Sequence, residues 1–576
     1  MYSKITKVLA LSVLLILLIS STAVAQEWVV TAKGDKEKIN VSAIVLENMT
    51  LREAIIKANS GDTIVFDANI TEVNIVFGTL NVSKDLTIGG NSKATIRKDT
   101  NPTTRDLTIF TITAANVTFR QLTLENGNMN DGLGGAVYAD KANVTFDSCI
   151  IQRNKADAGG AIYAANGSNI KLESTSVYRN NATNGTAIYI QNGTLDLQNS
   201  IIDGHTGKND TIRIDKGKLT AFQARVMNNV ITEKGSPITA AAGTTVEFKH
   251  STFSNNTATD SAGITAHGTL LVENCVFDGG NTSGSGGGIA LKNGSVGEIR
   301  YSIFSNSVAA NDGGGIHLDV NSKAVIDTCT FINNLANYGG AFFSRGDLTA
   351  TSNTAVNNTA KFYGGAAALW NSGTATMTKN VIAGNTAKSN NTQKDTGGGG
   401  INVSNSIATL SNNVIVGNTD PRVVDFAEAN ATVRSGGNNI IGAYRGNGRF
   451  PIEASDMDGV IIENVFIMDS GIPSLTKSTG YTAGHNNTPV YTVALSSNPN
   501  NPAAAALGES IKPQEPQPQP PEDDTNQTPD SDSSKESSMP IIYAIYVIIG
   551  IGLLFVLIVA VYFILRYKKK KEYDFK

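Results

Sequence analysis

Cysteine is nearly absent. Cys149, Cys275 and Cys329 are the three in 576 residues, too few for a disulfide-braced scaffold. Charge of either sign is also scarce in excess, with a net −4. Setting aside Lys4, Lys7 and the basic stretch from Arg566 takes the middle of the chain to about −10. A mildly acidic body argues against nucleic-acid binding. No helical half-repeat and no regular leucine spacing occurs, which excludes a leucine-rich repeat. No LPxTG-like motif precedes the C-terminal apolar run, so covalent cell-wall sorting is not expected. No pattern suggests a metal or cofactor site.

What is there is a repeat. GGAVYA starts at Gly134, GGAIYA at Gly159 and GTAIYI at Gly185. The phrase returns as GGGIAL at Gly286, GGGIHL at Gly313, GGAFFS at Gly339, GGAAAL at Gly364 and GGGINV at Gly398. Copies start about 25 residues apart, a solenoid period. Between Gly185 and Gly286 the glycines fade, but the same step lands on an aliphatic residue each time. The column reads Val137, Ile162, Ile188, Ile212, Ile238, Ile264, Ile289, Ile316, Phe342, Ala367 and Ile401. A parallel stack demands this: one inward position per coil, filled by like residues. Each copy has a second alternating strand, such as VTFDSCIIQRN from Val144 and VEFKHSTFSNN from Val246, ending in an Asn-rich loop. The expected fold is all-β, a right-handed parallel β-helix followed by a single C-terminal transmembrane helix.

The ends set the expected organisation. Lys4 and Lys7 precede an apolar run and Ala23-Val24-Ala25, which reads as a signal peptide over 1–25. Residues 26–61 form an N-terminal segment whose Leu51, Ala54, Ile55 and Ala58 share one helical face behind Thr50 as N-cap. The β-helix is expected over 62–441 and a C-terminal cap over 442–510. A Pro-rich acidic stalk spans 511–540. The uncharged run 541–565 is long enough to span a bilayer. The basic tail 566–576 would then be cytoplasmic and the rest extracellular. A polar insertion at 388–396 reads as a loop.

The GGA(I/V) phrases, with FxxN at 253–256 and 331–334, resemble the repeats of polymorphic outer-membrane-protein adhesins. TLREAIIKANSGDTIVFD from Thr50 resembles the opening of exported pectate-lyase-like β-helix proteins. GNNIIG from Gly437 resembles their closing segment. Members of the autotransporter group end in a membrane barrel, whereas this chain ends in one apolar run. It is thus more similar to adhesin-like surface proteins of methanogenic archaea. The resemblance implies the fold firmly; that fold hosts adhesins and polysaccharide-cleaving enzymes alike.

Four groups of residues could carry function. Cys149, Cys275 and Cys329 stand two residues before Ile151, Phe277 and Phe331, in a column where other coils place Ser176, Ser200, Ser251, Ser302, Asn380 and Asn413. Cys275 and Cys329 are two coils apart, roughly 9–10 Å on strand spacing, beyond disulfide reach. Three buried free thiols are expected. Asp203, His205, Lys208, Asp210, Arg213 and Asp215 gather in the coil that lost its glycines. A uronate lyase needs a cation for the substrate carboxylate and a base for the α-proton; a glycosidase needs two carboxylates. The same stretch also reads as a surface turn, since no neighbouring coil supplies a matching charge. His317, with Asp312 and Asp319, is a weaker candidate of the same kind. Tyr138, Tyr163 and Tyr189 should point outward in three successive coils. Tyr338, Phe343, Phe362, Tyr363 and Trp370 form a second aromatic group, fit for sugar rings or a protein partner. Sequons at Asn81, Asn143, Asn181, Asn255, Asn357 and Asn430 suggest glycosylation.

Together these features lead the sequence to read as a membrane-anchored cell-surface protein, adhesin-like or an envelope component, and not as an enzyme. Its expected partners are extracellular glycans or surface proteins, and the membrane through one helix. The alternative is a tethered polysaccharide lyase or glycoside hydrolase acting through 203–215.

Overall fold

A computed structural model describes residues 25–508, apart from 38, 40–43, 45, 91–92, 102–104, 372, 389–396, 423, 447–449, 451 and 499. The chain divides into a unit of residues 1–513 and one of 514–576, the second wholly outside the described residues.

The first unit is a parallel β-helix. One sheet has 16 strands and two have 15, each taking one strand from successive coils; an eight-stranded sheet runs beside them from Thr206–Gly207 to Thr386–Ala387. The aliphatic column holds in register through every coil. Val137 pairs with Ile162, Ile162 with Ile188, Ile188 with Ile212, Ile212 with Ile238 and Ile238 with Ile264. It continues through Ile289, Ile316, Phe342 and Ala367 to Ile401. All of them are buried. Parallel pairing lays like on like, so each coil extends a continuous apolar core. Phe253, Phe277, Phe304 and Phe331 stack ring on ring at 4.6–5.0 Å within that core.

Buried backbone at the corners is satisfied by side-chain ladders. Asn334 donates from Nδ2 to Asn358 Oδ1 at 2.9 Å, Asn358 to Asn385 at 2.9 Å and Asn385 to Asn418 at 2.8 Å. Each Oδ1 also accepts the backbone N–H of the asparagine one coil before. The cysteines occupy a second such column. Thr175, not Ser176, is their neighbour there: its hydroxyl accepts from Cys149 N, while Ser176 pairs with Ile150 in the strand. Cys149, Cys275 and Cys329 are free and buried, and burial pushes each thiol up to about 12.

The helix Leu51–Lys57 carries a capping box between Thr50 and Glu53, and buries Leu51, Ala54 and Ile55. Far along the chain, the hairpin of Leu475–Ala483 and Thr488–Val493 lies against the side of the stack. Gly484 N donates to Asn274 O at 2.7 Å, Thr330 Oγ1 to Tyr491 O at 2.7 Å, and Tyr301 stacks on Tyr481 at 4.4 Å. Ile303 of the stack and Ala483 and Val490 of the hairpin are buried between the two.

One part of the expected fold class is corrected. Among the described residues no helix is long and apolar enough to cross a membrane. The run 541–565 lies outside them, as do 1–24, most of 388–396, and the stalk and tail from 509 on. The membrane localisation and the membrane partner rested on that one helix and are withdrawn with it.

Candidate functional site

The site begins with missing glycines. Two residues before the aliphatic column stand Gly135, Gly160, Gly287, Gly314, Gly340, Gly365 and Gly399. A Cβ at Gly160 would lie 2.3 Å from Thr186 O, and one at Gly287 2.1 Å from Gly314 O. These coils pack backbone on backbone, and only glycine fits. In four successive coils the position is instead Thr186, Asp210, Ser236 and Ala262.

Asp210 exploits the change. Its carboxylate enters the turn of the next coil, accepting from Ser236 N at 3.3 Å and from the Thr239 hydroxyl. It also accepts from Arg213 Nη1 at 3.1 Å. Gly235 makes room: at φ 120° a Cβ there would meet Asp210 Oδ1 at 2.0 Å. Burial pushes the Asp210 carboxyl up, against the pull of Thr239 and Arg213.

Tyr189, Arg213 and Thr239 are register partners on the outer face of one sheet. Arg213 Nε donates to Asp215 Oδ1 at 2.8 Å, and the Tyr189 hydroxyl donates to Asp215 Oδ2. Burial and the Asp215 hydrogen bond push the Tyr189 phenol up to about 12. Burial works against the Arg213 charge, but Asp210 and Asp215 hold it protonated. The result is a fixed chain, Tyr189–Asp215–Arg213–Asp210–Thr239.

A groove of about 570 Å³ opens over this chain, lined also by Asn184, Asn209, Lys234, Asp260 and His267. Its walls come from two repeated positions. Lys234 and Asp260 stand four residues before the column residues Ile238 and Ile264; Asp215, Ala241 and His267 each follow a column strand. Partial enclosure and the positive charge of Lys292 push His267 below the ordinary histidine range, so its imidazole is neutral at neutral pH. Lys234 and Lys292 have no ion-pair partner among the described residues.

Of the six residues expected in this site, Asp210, Arg213 and Asp215 converge. The other three do not. Asp203 ends a strand of a different sheet and accepts from Asn228 Nδ2 at 2.8 Å. Lys208 pairs with Glu233 at 2.9 Å in solvent. His205 points inward and replaces an asparagine in a ladder. Its Nδ1–H donates to Asn229 Oδ1 at 3.0 Å, and its Nε2 accepts from Asn180 Nδ2 at 3.3 Å. Wholly buried, it is pushed down to about 4.

Lys234, Asp260 and His267 escaped the sequence reading, which found no matching charge in neighbouring coils. The expectation of a chain poor in catalytic groups, and so no enzyme, is corrected on this ground. Counting positions from the aliphatic column, rather than scanning one contiguous stretch, would have found all three.

The aromatic groups do assemble. Tyr138, Tyr163 and Tyr189 stack at 5.8 and 5.1 Å on the outer face. Tyr338 touches Phe362 and Trp370, and Phe343 touches Trp370. His317 lies flat on Phe343, while Asp319 accepts from Val320 N at 2.8 Å. The six sequon asparagines are all exposed.

Comparison with known proteins agrees with the architecture. The family model described as the right-handed beta helix region matches residues 213–334 and, overlapping, 287–467. No curated protein matches the chain. Among solved structures it is similar to a PL6 alginate lyase complexed with a trisaccharide, at 11% identity and a TM-score of 0.28, covering 82% of this chain and 95% of the lyase. It is also similar to pectate lyase Pel9A, at 13% identity and a TM-score of 0.23, covering 83% of this chain and 91% of that one. At that distance the likeness carries no activity across. The polymorphic-outer-membrane-protein repeats and the archaeal adhesins have no counterpart among these matches, and the expected membrane-anchored adhesin is set aside. The fold itself is a right-handed parallel β-helix.

Proposed function

We propose that the protein is a polysaccharide lyase that cleaves a uronate-containing chain by β-elimination in the groove over Arg213. One observation carries this: a neutral imidazole, His267, stands among the cations Lys234 and Lys292, which have no ion-pair partner among the described residues. Elimination needs both functions, a base and a cation. Lys234 and Lys292 take the substrate carboxylate and stabilise the negative charge that develops on it. His267 removes the proton α to that carboxylate. The bond to the glycosidic oxygen breaks, a carbon–carbon double bond forms, and the leaving oxygen takes the proton back from the His267 imidazolium. Tyr189, three coils away and donating to Asp215, lines the far end of the groove.

Hydrolysis fits less well. It calls for two carboxylates flanking the scissile bond, and Arg213 ties up both Asp210 and Asp215. Alginate and pectate, the substrates in the names of the two solved enzymes, are natural members of a test panel. Purified protein should release an ultraviolet-absorbing unsaturated uronyl product from a polyuronate, and none from a neutral glucan. His267→Ala should lower that turnover about 10²–10⁴-fold. New reducing ends without unsaturation would replace elimination by hydrolysis; no cleavage of any polyuronate would sink the reading.

A further inference from the structure

The outer face that carries the groove does not end at His267. The floor column Arg213, Thr239, Thr265 continues in register through Ala290 and His317 to Phe343. The same wall positions recur with new chemistry. Asp312 and Tyr338 stand where Lys234 and Asp260 stand; Arg345 and Trp370 come three residues after Phe342 and Ala367, as His267 does after Ile264. The coil of Phe343 lies three steps from that of His267, about 14 Å along the stack at roughly 4.8 Å per step.

Here the face becomes an aromatic platform. Tyr338 packs on Trp370 at 4.5 Å and on Phe362 at 5.1 Å. The Trp370 indole N–H donates to Asn402 Oδ1 at 2.7 Å, which fixes the plane of the ring. Phe362 is 40% exposed, and Tyr338 and Trp370 are partly exposed. Beside them His317 is only 6% exposed, and its buried Nδ1 has no hydrogen-bond partner among the described residues. Asp312 adjoins Tyr338 by a parallel bridge, and burial pushes its carboxyl up to about 6 against the charge of Arg345.

We infer that this platform is a distal subsite for the same substrate chain, holding one pyranose ring against Tyr338, Phe362 and Trp370 with its polar rim toward Asp312. The inference rests on the lyase reading for the identity of the chain. A sugar suits the platform because its ring has an apolar face for stacking and a polar rim for Asp312. The unbroken register between the two ends places both on one face of the stack. A chain seated at both ends must span three coils, so short fragments bind at one end only.

The test measures binding apart from turnover. Polyuronate oligosaccharides of increasing length are titrated calorimetrically into the His267→Ala protein, with and without Phe362→Ala. Phe362 is exposed, so its truncation leaves the core intact. The expected result is at least tenfold weaker binding of long oligosaccharides in the double variant, with short ones unchanged. Trp370 emission should shift on saturation in a Trp28→Phe background, where it is the one tryptophan left. Equal affinity with and without Phe362→Ala, confirmed with Tyr338→Ala, would overturn the subsite, as would no binding of any length. Turnover that survives His267→Ala, with length-dependent binding intact, would instead remove the assigned base and leave the subsite standing.

Discussion

Two stretches of the same solenoid differ at one position per coil. In the coils of Gly135 and Gly160, and again from Gly287 to Gly399, glycine stands two residues before the column. In the four coils between, Thr186, Asp210, Ser236 and Ala262 stand there. The glycine coils close backbone on backbone. The others admit side chains into the turn, and Asp210 uses that space to anchor Arg213. The groove lies over these four coils. The difference teaches that the repeat supplies the scaffold and its local failure supplies the chemistry.

The comparison breaks most visibly at the glycines. Gly287→Ala places a Cβ against Gly314 O and should cost about 3 kcal/mol in chemical denaturation. Ala262→Gly, the reverse change in the groove stretch, should cost only about 0.5–1 kcal/mol. Equal costs would mean the two kinds of coil are packed alike.

Asp210→Asn comes next. It keeps an acceptor for Ser236 N but removes the charge facing Arg213, and should cost about 1–3 kcal/mol. It should also free the guanidinium to move, lowering turnover beyond what the stability loss explains.

His205 tests the ladder. Its folded pKa of about 4 lies below the ordinary 6.5. As pH falls through that window the unfolded chain binds the proton first, so stability drops, by about 2 kcal/mol between pH 7 and pH 5. His205→Asn restores the ladder residue found in the neighbouring coils and should flatten that slope. His317, also pushed to about 4, adds a parallel slope that the substitution leaves in place. The smallest effect belongs to Lys208→Ala. Its ion pair with Glu233 is exposed on both sides, and its loss should change neither melting temperature nor turnover measurably.

Much of this was legible in advance. The N-cap at Thr50 follows from helical spacing, and the inward column and the three buried thiols follow because stacked coils repeat their burial at fixed steps. Ser176 was misplaced by one residue, since a small polar residue fits the strand and the corner equally well. The candidate stretch was half right. Asp210, Arg213 and Asp215 meet, but His205 and Asp203 turn to other faces, because a β-helix changes sheet every few residues. Neighbours in sequence are then not neighbours on a surface.

The sequence by itself determined the period, the core column and the continuity of the stack through the glycine-poor coils. Apolar residues at one position per turn have a single way to leave water together. What only the tertiary structure decided is the groove. Tyr189, Arg213, Lys234 and His267 come from four different coils, and they line one groove because parallel pairing sets equivalent positions about 4.8 Å apart. No single coil holds enough of them to announce a site.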